Sequence, residues 1–307
     1  MTVAVTGASG HLGRLVVEAL ARRGVAPIAI ARTPEKIADL ADRGIEVRRA
    51  AYDNPDDLDA ALRGVTRLLL VSGTEFGQRV AQHTAVLRAA ERAGVELLAY
   101  TSIPDADHTP LVLAAEHRAT EQVLRAGAVP LVLLRNGWYW ENYLGSLQQA
   151  RATGAFTGAA AGGRIAGAAR ADYAEAAAAV LTSADDQGGR VYELGGDRPL
   201  THAELADAMA AALGIPVRYE SLGRAGYTAA LVESGLPASV AEVFADSDAG
   251  IESGALDVTS GDLVQLIGRP AATAESVFRA ALWISAPART PGRRPIAPAA
   301  ARRRSGR

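Results

Sequence analysis

Residues 6–24 read TGASGHLGRLVVEALARRG and carry glycines at positions 7, 10 and 13. A short apolar run, TVAV, precedes them, and apolar residues at helical spacing follow as far as a glycine at position 24. This pattern predicts a strand that turns tightly into a helix. Such a turn presents backbone N–H groups at a helix N-terminus, where a phosphate binds well, although glycines also serve ordinary tight turns.

Five further apolar runs alternate with helical patterns as far as residue 137. They are APIAIAR at 26–32, IEVRRAAYD at 45–53, RLLLVSG at 67–73, ELLAYTSI at 96–103 and PLVLLRNG at 130–137. Strands that alternate with helices indicate a parallel sheet covered on both faces. We therefore expect an α/β fold with a doubly wound parallel Rossmann sheet over residues 1–137. In this context the glycine turn is predicted to bind a dinucleotide.

The strand–helix alternation stops after residue 137. Residues 138–151, WYWENYLGSLQQAR, are predicted to form a helix, and a Gly/Ala-rich stretch follows at 153–169. Later helical patterns are joined by two strand patterns, RVYELGG at 190–196 and VRYESL at 217–222. We expect residues 138–285 to form a smaller C-terminal α+β lobe that binds the substrate and extends the sheet.

The composition excludes several classes of protein. The 307 residues include no cysteine, so disulfides, thiolate metal sites and a cysteine nucleophile are excluded. The formal net charge of −2 gives no reason to expect a specific nucleic-acid partner. No apolar run approaches the ~20 residues that span a membrane, and the glycines near the start interrupt any signal-peptide core. We expect a cytoplasmic protein that does not insert into membranes.

The C-terminal end differs from the rest of the chain. Its last 21 residues contain seven arginines, four prolines and no acidic residue. Such a segment has too little apolar surface to bury, so residues 286–307 are predicted to be a basic disordered tail. Contact with an anionic surface is the open alternative.

The end of the second predicted strand bears on which dinucleotide binds. A site that prefers NAD has an acidic residue there, which accepts a hydrogen bond from the ribose 2′-hydroxyl. This strand ends instead in Arg32, with Lys36 four residues later. A guanidinium suits a 2′-phosphate, so we predict that the cofactor is NADP(H). The alternative is that Arg32 is an ordinary solvated loop arginine.

Several motifs together resemble one family. TGASGHLG at 6–13, VSGTEFGQR at 71–79, AYTSIPDAD at 99–107, LLRNGWYWENY at 133–143, ARADYA at 169–174 and ADSDAGI at 245–251 are similar to the NmrA-like branch of atypical short-chain dehydrogenases. Within that branch the bacterial NAD(P)H:quinone oxidoreductase type 2 group is the nearest. The resemblance runs from residue 1 to about Leu282 and leaves the arginine-rich tail outside it.

The resemblance implies a set of cofactor-binding residues. The pyrophosphate would lie on Gly7, Ala8, Ser9, Gly10, His11 and Leu12, the 2′-phosphate on Arg32, and the adenosine and ribose on Ser72, Gly73, Thr74, Glu75, Phe76 and Gly77. The nicotinamide would lie beside Gly137, Trp138, Tyr139, Trp140, Glu141 and Asn142, with Arg170 closing the pocket. Two of these loops follow predicted strands, where ligands bind in open α/β sheets. Asp53, at the end of another predicted strand, is a candidate contact for adenine.

The catalytic residues are harder to assign. Ordinary short-chain dehydrogenases use a Tyr-x-x-x-Lys pair, but Lys36 is the only lysine here and no such pair exists. The candidates are Tyr139, Asn142, Arg170 and His117, the last standing about where the missing lysine is expected. Histidine can relay protons near neutral pH, although a lone helical histidine more often packs or lies at the surface. Five scattered histidines give no metal-ligand spacing.

These observations predict NADPH-dependent reduction of a quinone or related electron-poor acceptor by direct hydride transfer, without flavin or metal. A quinone accepts hydride readily and needs no built-in proton donor. Two alternatives stay open: a non-catalytic NADP(H)-binding redox sensor of the NmrA type, and an isomerase or reductase of an aromatic metabolite. The expected partner is a quinone-like small molecule, and the oligomeric state is open, a homodimer included.

Overall fold

The computed structural model describes residues 1–284. The strands are β1 Val3–Val5, β2 Ile28–Ala31, β3 Glu46–Arg49, β4 Arg67–Leu70, β5 Leu97–Ser102, β6 Leu131–Asn136, β7 Ala155–Gly158, β8 Arg164–Ile165, β9 Val191–Leu194, β10 Leu200–Thr201 and β11 Arg218–Ser221. The α-helices are α1 His11–Arg22, α2 Ala38–Asp42, α3 Pro55–Ala61, α4 Arg79–Ala93, α5 Ala114–Arg125, α6 Leu144–Thr153, α7 Arg170–Thr182, α8 His202–Leu213, α9 Gly223–Glu233, α10 Ala238–Glu252, α11 Asp262–Ile267 and α12 Ala274–Ile284. The predicted tail, residues 286–307, lies outside the described residues.

A seven-stranded sheet forms the centre of the fold, in the order β3-β2-β1-β4-β5-β6-β9. All of its strand pairs are parallel. The order reverses between β1 and β4, so the loops that follow these two strands diverge and leave a crevice at the carboxyl edge of the sheet. The predicted doubly wound Rossmann sheet is confirmed.

Helices cover both faces of this sheet because the residues of its central strands β1, β2 and β4 are mostly apolar and buried. One core contains side chains from α1, α2, α7 and α11, and the other contains side chains from α3, α4 and α5. The elements α7, β9 and α11 belong to these layers although they follow residue 137 in the chain. Residues 138–284 therefore supply both a lobe and part of the Rossmann layers, and the division at residue 137 stays a prediction.

The rest of the C-terminal half forms a smaller α+β lobe with its own core. Two small sheets contribute to it, antiparallel β10–β8 and parallel β11–β7. Its core includes Trp140, Phe156, Leu205 and Phe278, all at most 2% exposed. No helix among residues 1–284 is long and apolar enough to cross a membrane.

The helix predicted over residues 138–151 begins later than expected. Tyr139 forms an isolated parallel bridge with Ala168, and the Trp140 N–H donates to the Ala168 carbonyl at 3.0 Å. These contacts hold residues 138–139 extended. A 3-10 turn then spans Trp140–Tyr143, and the α-helix starts at Leu144. The expectation of one continuous helix was wrong because the deciding contact comes from a residue far along the chain.

Candidate functional site

A cleft of about 400 Å³ lies at the carboxyl edge of the sheet, over the point where the strand order reverses. Its walls come from the loops after β1, β2, β3 and β4, from the start of α1, and from the region where Tyr139 meets α7. The lining residues are Gly7, Ser9, Gly10, His11, Leu12, Gly13, Arg32, Ala50, Tyr52, Asp53, Val71, Ser72, Gly73, Thr74, Glu75, Gln82, Tyr139 and Arg170.

The glycine turn forms the floor of the cleft. Gly7 has a φ of +61°, a left-handed conformation that glycine adopts without strain. A Cβ on Gly13 would overlap the backbone of Gly7, with the Gly7 carbonyl carbon 2.8 Å away. A Cβ on Gly10 would meet only the Gly7 carbonyl oxygen, at 3.2 Å. Gly13 therefore allows α1 to pack against the turn, whereas the missing side chain of Gly10 keeps the cleft open.

The N-terminus of α1 is free to receive an anion. Gly10 is its N-cap, no side chain caps the helix, and its first turn contains no acidic residue. The unpaired N–H groups and the helix dipole both favour negative charge at this position. An open helix N-terminus beside a glycine cradle fits the pyrophosphate of a dinucleotide.

Arg32 and Glu75 form the rim at one end of the cleft. Arg32 follows β2, Glu75 lies in the loop after β4, and the Arg32 guanidinium lies 2.7 Å from Glu75 Oε1. The other oxygen, Glu75 Oε2, accepts a hydrogen bond from Gln82 Nε2 at 2.8 Å. The pair joins loops from both strands that flank β1. Lys36 is exposed and does not line the cleft.

The loop after β4 is fastened from behind by buried polar groups. The Ser72 N–H donates to Thr101 Oγ1 at 2.9 Å, and the Gly73 N–H donates to His83 Nε2 at 3.1 Å. Arg79 Nε donates to the Gly73 carbonyl at 2.9 Å. Burial and the nearby Arg79 charge lower the pKa of His83 to about 3. His83 is therefore neutral at neutral pH and able to accept the Gly73 hydrogen bond.

Tyr139 and Arg170 form the opposite end of the cleft. The Arg170 guanidinium carbon lies 5.1 Å from the centre of the Tyr139 ring, a cation–π contact. Arg170 also donates to Asn142 Oδ1 at 3.1 Å. The Glu141 carboxylate accepts the Arg170 backbone N–H at 3.0 and 3.1 Å, which fastens the start of α7. Burial raises the pKa of the Tyr139 hydroxyl, so this group stays protonated at neutral pH.

The structure brings most of the sequence-predicted residues to the cleft, but not all of them. Thirteen line it: Gly7, Ser9, Gly10, His11, Leu12, Arg32, Asp53, Ser72, Gly73, Thr74, Glu75, Tyr139 and Arg170. The other predicted cofactor contacts, Ala8, Phe76, Gly77, Gly137, Trp138, Trp140, Glu141 and Asn142, are not among its lining residues. Glu141 and Asn142 act on the cleft through Arg170.

Two aromatic residues among the predicted contacts face elsewhere. Trp140 is buried against Gly167, where a Cβ would run into its ring. Phe76 is 58% exposed, and the Arg79 guanidinium carbon lies 5.7 Å from the centre of its ring. Neither ring is available inside the cleft in this arrangement.

His117 also lies away from the cleft. It is 8% exposed, and its Nδ1 is 2.8 Å from the hydroxyl of Tyr100. Burial lowers the pKa of His117 to about 3, with smaller contributions from Arg79 and His83. A ring that is buried and neutral at physiological pH has no access to a substrate in the cleft. The placement does not support the predicted proton relay.

Five residues that line the cleft are absent from the sequence-predicted site: Gly13, Ala50, Tyr52, Val71 and Gln82. Tyr52 donates from its hydroxyl to Thr6 Oγ1 at 2.6 Å, and burial raises its pKa to about 12. It follows the third strand by a few residues, so the rule that ligands bind beyond the carboxyl ends of strands could have found it. Among residues 1–284, no group of three or more His, Asp or Glu side chains could hold a metal ion.

Comparison with known proteins gives consistent matches. The profile of the NAD(P)H-binding family matches residues 7–184. The chain is 48% identical over 278 residues to quinone oxidoreductase 2 of Escherichia coli, across 90% of this chain and 97% of that protein. The crystal structure of NADPH-dependent quinone oxidoreductase 2 from Escherichia coli, complexed with NADPH, has a TM-score of 0.88 at 45% identity, covering 92% of this chain and 100% of that chain.

Two other solved structures have the same fold. Triphenylmethane reductase of Citrobacter sp., complexed with NADP(H), matches with a TM-score of 0.86 at 35% identity, over 91% of this chain and 100% of that chain. The negative transcriptional regulator NmrA, in complex with NAD, matches with a TM-score of 0.76 at 16% identity, over 92% and 95% of the two chains, which establishes likeness of fold alone. The chain belongs to the NAD(P)H-binding family as an NmrA-like member, and the resemblance seen in its motifs is confirmed.

Proposed function

We propose that this protein reduces a quinone, or a related electron-poor acceptor, with NADPH bound in the cleft and without flavin or metal. The observation that carries the proposal is a single cleft with an anion-binding glycine turn and Arg32 at one end and the Arg170–Tyr139 pair at the other. The similarity to the Escherichia coli quinone oxidoreductase, which covers nearly the whole of that protein, supports it.

The cleft residues take the following roles in this proposal. The turn from Gly7 to Leu12 and the start of α1 hold the pyrophosphate, and Arg32 binds the 2′-phosphate. Asp53 and residues 72–75 lie along the adenosine and its ribose. Tyr139 and Arg170 hold the nicotinamide end, where Asn142 and Glu141 keep the arginine in place.

Arg170 is the main candidate for a catalytic role. Bound NADPH supplies the hydride. Reduction of a quinone places negative charge on its oxygens, and a partly buried guanidinium that is already oriented stabilises such charge without reorganising. Tyr139 provides an aromatic face under that guanidinium. The chain needs no Tyr-x-x-x-Lys pair for this reaction, because the reduced oxygens can take protons from water.

The redox-sensor alternative has less support than the enzyme. It rests on likeness to NmrA, which at 16% identity concerns the fold alone. We infer a quinone-like small molecule as the partner. A homodimer and a cytoplasmic location stay predictions from the sequence.

Replacement of Arg170 by alanine is expected to lower kcat by about 10- to 100-fold, since one oriented cationic donor is lost from the site. Asn142→Ala should have a smaller effect in the same direction, because it loosens Arg170 without removing the charge. The measurement is steady-state NADPH oxidation with a small quinone panel, together with the Kd for NADPH. Affinity for NADPH should change by less than about tenfold.

Arg88→Ala is the matched control for this series. Arg88 lies on α4, is exposed, and pairs only with Glu91 at 2.8 Å among the ion pairs of the described residues. Its replacement should leave kcat unchanged. Unchanged turnover in Arg170→Ala would remove Arg170 from the reaction.

A further inference from the structure

Arg32 already has an anionic partner at the place where the cofactor's 2′-phosphate is expected. Its guanidinium lies 2.7 Å from Glu75 Oε1, and both side chains are largely exposed, at 71% and 47%. Hydrogen bonding to Arg32 lowers the pKa of the Glu75 carboxyl, so Glu75 is ionised at neutral pH. A phosphate that binds Arg32 must therefore compete with, or lie beside, this carboxylate.

The position of the pair follows from the sheet order. Strands β2 and β4 both pair with β1, and Arg32 and Glu75 stand in the loops after β2 and β4. The ion pair therefore spans the loops on either side of the glycine turn. Gln82 and Arg32 are both bonded to Glu75, so the carboxylate has a defined place on the rim.

The other charges near this rim do not replace Glu75. Arg49 donates to the Arg32 backbone carbonyl at 3.3 Å and pairs with Glu35 at 2.6 Å, and it is not among the residues that line the cleft. Asp53 lines the cleft, but no hydrogen bond or ion pair between its side chain and Arg32 is present in the described part of the chain. Glu75 is the carboxylate that contacts the guanidinium predicted to select the cofactor.

We propose that Glu75 is a specificity-determining residue that restrains the preference of the cleft for a 2′-phosphorylated cofactor. With an unphosphorylated dinucleotide, Glu75 keeps Arg32 paired, so no isolated cation stands over a ribose hydroxyl. With a phosphorylated one, the carboxylate either competes with the phosphate for Arg32 or lies beside it, and in both cases it repels the phosphate. The pair therefore narrows the difference in affinity between NADPH and NADH. This inference rests on the binding of NADPH in the cleft as proposed above.

The test compares 2′-phospho-ADP-ribose with ADP-ribose by isothermal titration calorimetry. Neither ligand contains nicotinamide, so the result does not depend on quinone reduction. Glu75→Gln should raise the affinity for 2′-phospho-ADP-ribose about three- to tenfold and change that for ADP-ribose less than twofold. The glutamine amide oxygen can still accept from Gln82, so the loop keeps its contact. The gain should shrink at high salt, because the groups are exposed.

Glu35→Gln serves as the matched control. Glu35 is 67% exposed, follows Arg32 by three residues in the chain, and pairs with Arg49 instead of Arg32. Its replacement removes the same charge and should alter both affinities less than twofold. The proposal is overturned if Glu75→Gln leaves the preference unchanged or weakens both ligands alike. Equal gains in both variants, or failure of all proteins to bind 2′-phospho-ADP-ribose, would also overturn it.

A loss of quinone reduction leaves this result untouched. If the protein binds both ligands with the expected preferences but oxidises no NADPH, the proposed quinone reductase activity fails and the proposed role of Glu75 stands. If the protein reduces quinones but Glu75→Gln leaves the preference for 2′-phospho-ADP-ribose unchanged, the proposed enzyme activity stands and the proposed role of Glu75 fails.

Discussion

Gly10→Val is expected to weaken NADPH binding by about 10³-fold while the protein stays folded. Gly10 lines the cleft at the N-cap of α1, and a side chain there would extend into the space proposed for the pyrophosphate. Within the protein, the new Cβ would make one close contact, 3.2 Å from the Gly7 carbonyl oxygen. Titration of NADPH followed by fluorescence, with circular dichroism as the check of folding, measures both effects.

Two other glycines give the controls for Gly10. A Cβ on Gly13 would overlap the Gly7 backbone, so Gly13→Val is expected to destabilise the whole first βα unit. Gly145, on α6, has open space around its position, so Gly145→Val should change neither folding nor binding. If Gly10→Val still binds NADPH at wild-type affinity, the cofactor lies elsewhere.

Acidification from pH 7 to pH 5 is expected to lower the free energy of unfolding by about 4 kcal/mol. Burial lowers the pKa of His83 and His117 to about 3 and that of His202 to about 4. Each histidine is neutral in the folded protein but takes up a proton in the unfolded chain below pH ~6.5. The unfolded state therefore binds more protons than the folded state in this range. Each histidine lowers the free energy of unfolding by about 2 kcal/mol as the pH is lowered from 7 to 5.

Asp248 opposes this trend. Burial raises its pKa to about 6, so its ionised form costs stability above that pH and the cost is relieved on acidification. The three histidines together cost about 5.5 kcal/mol between pH 7 and pH 5, and the relief from Asp248 is about 1.3 kcal/mol, which leaves a net loss of about 4 kcal/mol. Urea unfolding at the two pH values measures it. His117→Gln should reduce the pH dependence by about 2 kcal/mol, and equal wild-type stability at both pH values would contradict the assignment of buried neutral histidines.

The part of the site nearest the glycine turn could be predicted from sequence because it depends on short-range patterns. The spacing of Gly7, Gly10 and Gly13, and the position of Arg32 at a strand end, need only local structure and the rule for strand ends. The central strands could be predicted for the same reason. The seventh strand, β9, follows a long excursion through the second lobe, and nothing local shows that it pairs with β6.

The part beyond residue 137 depended on contacts that local patterns do not contain. The bridge between Tyr139 and Ala168 turns Tyr139 toward the cleft and Trp140 into the core, although the two are neighbours of similar chemistry. The helical pattern around His117 is compatible with an exposed side chain that relays protons, but the side chain packs against Tyr100 and is buried. Gln82, on α4, lies at the cleft and donates a hydrogen bond to Glu75. No sequence motif predicts this contact.

The most direct test of the account is NADPH oxidation by the purified, flavin-free protein with a panel of small quinones, using NADPH and its two stereospecifically C4-deuterated forms. Direct hydride transfer predicts steady turnover without added flavin or metal. In single-turnover measurements, deuterium at one C4 position alone should slow oxidation and should be lost from the cofactor. Tight binding of NADPH with no quinone reduced above the buffer rate would contradict the enzyme assignment and favour a redox sensor.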